Sequence, residues 1–520
     1  MTERARRAID AMADCRGRKL KGQRAKVKGQ GIGRAVRGGA VVCGVSALCA
    51  VCLLPVYAYA QAQTTAAPPT PDPFRWSVTN VSRVESWSYF DPLPGGNPDY
   101  TFLANRLRLG VTGTWSRIDV NGSVQYVQFG GLPTQAFGPG ALGTGALYYD
   151  HSGRTDSHGI YLRTLTARVR LPGGIAIQAG RFGYQSGAES PSGHAKIEAV
   201  KRARLDSRLV GEFEWSLYQR TFDGARVDVE RKAWHLSGAW FTPTQGGFEE
   251  DAGARLSRVD VGSATFTLRP SVAVPATDVA VFALRYDDHR PVAARPDNVG
   301  VSAERVDAGI TTLGVAAIGS VSAGQGEADW FVWFAGQTGS WYEQRHRAWS
   351  LAVEGGYQWK TRWQPWLRGG VLHASGDDDP RDDRHGTFFP MLPTVRKYAF
   401  TTAYAPMNLR DTFVEFIARP MPRVSARVDV RRLWLAAPAD LWYTGSGATQ
   451  ERGSTFGYAG RRSGGSTDLG TVLEGAADVS LGKHLSLNGF VGSIHGGRVV
   501  QTIFAGHWLR FAYLESVIQF

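Results

Sequence analysis

After Cys52 the chain contains no cysteine. Its four, Cys15, Cys43, Cys49 and Cys52, crowd into the start of the sequence. Disulfides and cysteine-ligated metals are thereby excluded from everything that follows, even though the segment carrying the cysteines reads as an export leader. The apolar run Ala40–Leu54 falls short of the roughly 20 residues that a spanning helix needs, and nothing longer comes after it. Catalytic signatures are missing too. There is no G-x-S-x-G, no H-E-x-x-H and no G-x-x-x-x-G-K, and the 11 histidines lack ligand spacing. Gly138-Pro-Gly-Ala-Leu-Gly143 matches G-x-G-x-x-G, but it follows Leu132–Phe137 rather than a buried strand and carries Pro139 in its turn. It reads as a glycine-rich loop. The chain is therefore read as a non-enzyme without a cofactor.

Positive charge is also scarcer than the total suggests. The first 60 residues hold 12 of the basic and 3 of the acidic side chains, so of the net +13 only +4 belongs to the remainder. A nucleic-acid partner gains no support from that balance. Residues 1–60 have the order of a secretory signal peptide with a long basic n-region. Lys and Arg precede the apolar run, and Ala58-Tyr59-Ala60 and Ala60-Gln61-Ala62 offer small-x-small cleavage sites, placing the cut near Ala60 or Ala62. Residues 61–73 (QAQTTAAPPTPDP) form a Pro/Thr/Ala linker too polar to pack.

From 74 to 520 the texture is uniform, and its period is two. In Leu103–Trp115 one face carries Leu103, Leu107, Leu109, Val111 and Trp115, and the other Ala104, Arg106, Arg108, Gly110, Thr112 and Thr114. Successive strand side chains point to opposite faces, so this is a strand with one greasy and one cationic side. Trp349–Lys360 repeats the pattern with tryptophans at both ends of its apolar face. Ser425–Leu435 places Arg427, Asp429 and Arg431 opposite Val428 and Val430. Arginine facing lipid at mid-membrane costs ~2–4 kcal/mol, so the charged faces are expected to line a bore. Candidate strands recur from Trp76–Trp87 to Trp508–Phe520, among them Phe213–Arg220, Val395–Ala403 and Val499–Phe504. A closed barrel is the only β architecture that pairs every edge group in lipid. The expected fold is all-β, a transmembrane antiparallel barrel of 18 strands, with 16 as the alternative.

Further segments resemble the alginate-export family of outer-membrane β-barrels: Asn105–Gly110 (NRLRLG), Ala179-Gly-Arg181, Phe222–Val227 (FDGARV), Ala374–Pro380 (ASGDDDP) with Gly386–Pro393 (GTFFPMLP), and Asn408-Leu-Arg-Asp411. The resemblance spans about Trp76–Phe520. It implies an 18-stranded barrel with a basic lumen that passes an anionic polysaccharide. The arginines that belong to these motifs or to polar strand faces are Arg106, Arg108, Arg181, Arg226, Arg368, Arg427 and Arg431, and they are the candidate pore residues. Guanidinium binds carboxylate through paired hydrogen bonds and stays charged at any relevant pH. Glu354, Glu474 and Asp478 could hold them by ion pairs. Passage would be passive.

Other readings remain open at this level: a general or anion-selective porin for small solutes, and a barrel-embedded hydrolase. The expected partners are an anionic polysaccharide, outer-membrane lipid, and the barrel assembly machinery, reached through the C-terminal Phe520. No metal site is expected. Asp377, Asp379 and Asp382 in the run Asp377–Asp383 raise calcium as an alternative, but without D-x-D-x-D-G spacing they read as a charged extracellular loop.

Overall fold

The computed structural model describes residues 73–93, 95–270, 276–395, 398 and 401–520. The expected leader, the expected cleavage sites and all but the last residue of the expected linker lie outside this set. The barrel strands are β1 (Phe74–Ser88), β2 (Asp99–Thr114), β3 (Ile118–Gly130), β4 (His158–Leu171), β5 (Ile175–Phe182), β6 (Phe222–Glu230), β7 (Trp234–Pro243), β8 (Val259–Leu268) and β9 (Thr277–Asp288). The circuit continues with β10 (Ala308–Ala323), β11 (Gly326–Trp341), β12 (Gln344–Trp359), β13 (Trp366–Ala374), β14 (Leu409–Met421), β15 (Val424–Leu435), β16 (Asp468–Ser480), β17 (Leu485–Gly496) and β18 (Trp508–Gln519). Each pairs antiparallel with its sequence neighbour, and β18 returns to β1 from Thr79↔Gln519 to Ser88↔Arg510, closing an 18-stranded barrel. The seam extends to the last residue, since Phe520 exchanges both backbone hydrogen bonds with Val78.

Polarity is inverted relative to a soluble protein. Outward positions are apolar and exposed, with Leu103 57%, Ile160 72%, Leu313 60% and Val491 62% accessible, whereas Glu85, Asp329, Glu354, Asp429 and Arg431 are buried inside. A half-buried strand of a soluble sandwich would show the reverse. Only a surround of lipid makes this distribution favourable. Close packing along the ladder also shapes the sequence. Gly319 lies opposite Trp330, and a Cβ on Gly319 would collide with the indole ring, so glycine there lets the tryptophan lie across the strand.

One end of the barrel has short turns (115–117, 172–174, 324–325, 422–423), and the other has long connections (131–157, 183–221, 375–408, 436–467). Outer-membrane barrels keep short turns on the periplasmic side, so the long connections are extracellular. Two of them fold inward. Residues 183–221 carry the helix Ala195–Arg204, and 375–408 place Arg384–His385 parallel to Arg345–His346 of β12. They meet at a parallel bridge between Val210 and Leu392. Phe388, Phe389, Met391 and Leu392 are buried, with Phe388 edge-on to Trp333 and Phe389 5.2 Å from Trp341. Part of the interior is thus an apolar plug rather than a uniformly polar bore.

Two expected strands are absent. Phe213–Arg220 alternates aromatic and polar residues, yet it lies in the inward segment as turns. Val499–Phe504 is apolar, but Arg498–Gln501 is a helical turn that starts after Gly497. Val395–Ala403 lies partly outside the described residues, and those of its residues that are described are not strand.

Candidate functional site: the charged lumen

The wall carries arginines on four sectors, and most are neutralised by carboxylates. On β11–β13, Arg368 pairs with Asp329 and lies 3.2 Å from Glu354. The inner helix adds Arg204, which grips Glu354 at 2.7 and 2.9 Å, and Lys196, which lies 3.5 Å from Asp329 and 3.3 Å from the centre of the Trp366 ring. Arg208 approaches Glu354 at 3.8 Å. Four cations therefore share two carboxylates. Burial pushes the Lys196 ammonium down to about 8, against the opposing pull of Asp329.

On β14–β16, Arg431 sits between Asp411 at 2.7 Å and Asp429 at 3.0 Å, and Arg427 lies 3.3 Å from Asp429 and 3.5 Å from Glu415. Glu474 accepts the Thr401 amide from the second inner segment at 2.8 Å. On β6, Arg226 pairs with Asp228 at 2.7 Å. Arg368 and Arg431 are fully buried. They fasten strands to one another and are closed to a passing solute.

The fourth sector differs. On β1–β4, Arg83 pairs with Glu515 and Glu85, and Arg163 with Glu212 of the inner segment. Between them lie Arg106 and Arg108, half-buried on the inward face of β2. Arg108 donates to Gln125 and Gln219, both neutral. Among the described residues neither arginine has a carboxylate within ion-pair distance, and the Arg106 Nε is buried without an acceptor. Of the seven candidates, these two alone keep an uncompensated charge.

Arg181 departs from expectation. It stands opposite the exposed Leu165 and opposite Asp223, which puts it on the outward face. There it binds Asp223 at 2.6 and 2.7 Å and the Gly253 carbonyl at 2.8 Å, so it is a rim residue and not part of the bore. The acidic run departs from the calcium alternative. Asp379 and Asp382 cap their own loop by accepting the Arg381 and Arg384 amides at 3.0 and 2.9 Å, while Asp377 is buried beside Asp440. Among the described residues no three His, Cys, Asp or Glu side chains are grouped to hold a metal ion. Sequence reasoning missed Lys196, Arg204 and Arg208. The signal for Lys196 and Arg204 was the basic, irregular stretch Ser186–Asp206, which has no place in a strand pattern; Arg208 lies just beyond it.

Residues 200–501, more than half of the chain, match the family described as alginate export. The chain belongs to the alginate export family. No curated protein sequence matches it. Solved structures share the barrel architecture of this family member at low identity. OpdK of Pseudomonas aeruginosa is 8% identical, with a TM-score of 0.51 over 86% of this chain and 98% of that one. OccAB2 of Acinetobacter baumannii is 9% identical, with a TM-score of 0.54 over 86% and 98%. OccK2 (OpdF) of P. aeruginosa, solved in complex with glucuronate, is 8% identical, with a TM-score of 0.53 over 86% and 96%. Family and fold together support an outer-membrane channel.

Proposed function

We propose that this alginate export family member passes an anionic polysaccharide, a polyuronate resembling alginate, across the outer membrane by passive diffusion past Arg106 and Arg108. The observation that carries the reading is the contrast within the lumen. Carboxylates hold the other inward candidate arginines, and these two face the interior without one, Arg108 beside the neutral Gln125 and Gln219. A guanidinium without a fixed counter-ion is free to take a carboxylate of a passing sugar, and the sum of weak, repeated contacts lowers the barrier for an anion without trapping it. The glucuronate bound to OccK2 supports uronates as ligands of barrels with this architecture.

Planar-bilayer recordings test the reading. The wild type is expected to prefer anions and to be blocked by long uronate oligomers, and R106Q/R108Q to lose most of that preference. Unchanged selectivity in the double variant removes both residues from the mechanism. A second reading, a channel for small anions, gains support from the two inner segments that occupy the lumen. Small uronates that permeate while long oligomers neither block nor cross would favour it. The exposed Phe520, whose ring stacks on His484 at 4.7 Å, is proposed as the handle for the barrel assembly machinery, and the apolar outer wall as the lipid contact.

A further inference from the structure

At the extracellular end, loop segments enclose a cavity of about 160 Å³ that is separate from the β2 wall. Aromatic side chains line it: Trp87, Tyr89, Phe213, Trp215, Phe248 and Tyr458. The exposed Pro139, Gly140, Ala459 and Gly460 form its rim. The glycine-rich stretch that resembled a nucleotide motif serves here as wall. Gly143 has φ +99°, and a Cβ on it would come within 2.8 Å of the Trp87 ring.

Four polar atoms among its lining residues lack partners. The Arg461 Nη1, the Trp215 Nε1, the Ser446 Oγ and the Thr449 Oγ1 are all buried without a hydrogen bond. Arg461 is anchored through its Nε to the Pro139 carbonyl at 3.0 Å, with its guanidinium 5.2 Å from the Trp442 ring, so the unused nitrogen is held in place. Among the described residues no aspartate or glutamate lines the cavity. A buried donor left unmade is costly, and a native fold carries that cost where a ligand supplies the acceptor. Aromatic walls with a few converging polar groups are the usual make-up of a ligand pocket. A cavity of about 150 Å³ holds benzene, and the open rim here leaves room for the substituents of a sugar ring.

We propose that this cavity binds a single acidic sugar unit. Its carboxylate sits on Arg461, its ring oxygens and hydroxyls meet the Trp215 Nε1, Ser446 and Thr449, and its C–H face packs against the indole and phenyl rings, whose negative faces attract it. The inference builds on the uronate reading above but uses different residues. It would give the extracellular mouth a place to hold one unit of a chain.

Titration of the full-length detergent-solubilised protein with glucuronate, followed by tryptophan fluorescence, tests the proposal, with glucose as the neutral control. Saturable change with glucuronate, none with glucose at equal concentration, and at least tenfold weaker binding in R461Q are expected. R461K, which keeps the charge and loses the fork, should fall between. Heat-modifiable migration on gels reports that each variant is folded. R106Q/R108Q leaves the Arg461 cavity intact, so unchanged anion selectivity in that variant would strike the channel reading, while saturable binding that R461Q abolishes would leave this one standing. Absence of saturable binding, equal binding of glucose, or unchanged affinity in both Arg461 variants overturns the proposal.

Discussion

Arg204 of the inner helix donates to both carboxylate oxygens of Glu354 on β12, at 2.7 and 2.9 Å, and both side chains are almost wholly buried. The same carboxylate also faces Arg368 and Arg208. Breaking a buried pair by removing one partner leaves the other charge uncompensated, at a cost of about 3–5 kcal/mol. The barrel ladder is held by backbone pairing all round, so E354Q is expected to weaken the docking of residues 183–221 rather than the barrel. Faster proteolysis within 183–221 and a higher, noisier single-channel conductance, with heat-modifiable migration retained, are the measurements. Unchanged protection of that segment would show that Glu354 does not hold it.

The division between paired and unpaired arginines makes a second prediction. Arg431 is fully buried between two aspartates, and R431Q leaves Asp411 without a counter-charge and Asp429 with Arg427 alone. It should destabilise the barrel by about 3–5 kcal/mol in urea unfolding from vesicles. R106Q removes no ion pair and should cost about 1 kcal/mol or less. The same two variants should reverse order in ion selectivity, where R106Q shifts the reversal potential and R431Q, if it still inserts, shifts it less.

The long strands were legible because their alternation is sustained. Arg106 and Arg108 on β2, and Arg427, Asp429 and Arg431 on β15, take the inward face that lipid cost alone assigned them. Arg181 was not legible. β5 is short, Gly180 departs from strand geometry with φ +114°, and the Ala-Gly-Arg motif says nothing about which way its last residue points. The stretch Phe213–Arg220 has strand-like composition, but its partners are remote in sequence. Arg83 of β1 binds the Trp215 carbonyl at 2.9 Å, and Gln125 of β3 binds that of Leu217 at 3.0 Å. Composition cannot distinguish a segment that pairs in the wall from one that is gripped by wall side chains. The ion pairing that separates locked from available arginines depends on the same long-range contacts.

Asp377 supplies a pH dependence. Burial, then the nearby charge of Asp440, raises its carboxyl from the ordinary 3.8 to about 7. Its amide donates to Asp440 at 2.9 Å and so joins the 375–408 connection to the 436–467 connection. With the folded pKa above the unfolded one, the folded loops bind more protons between pH 4 and 7. The contribution to loop docking is therefore complete below about pH 4, declines as pH rises through about 7, and is flat beyond. Hydrogen exchange of the amides around 377 should accelerate from pH 5 to pH 8 beyond the intrinsic base-catalysed increase. D377N should remove that excess, and an excess that persists in D377N would place the titration elsewhere.

The outward assignment of the strands is itself open to test at Leu313. This residue lies midway along β10 and is exposed to the surround, while its neighbour Thr312 points inward and is fully buried, accepting a hydrogen bond from Gln337. If lipid covers Leu313, arginine there must be desolvated or must thin the bilayer around it, at about 2–4 kcal/mol near the midplane. L313R is expected to lower the unfolding free energy in vesicles by that amount. The same substitution at Val321, nearer the periplasmic end of the strand, should cost about 1 kcal/mol or less, because its guanidinium reaches the headgroups. Equal costs at the two positions would mean that no hydrocarbon gradient crosses this face, and the barrel would then not be oriented in a membrane as described.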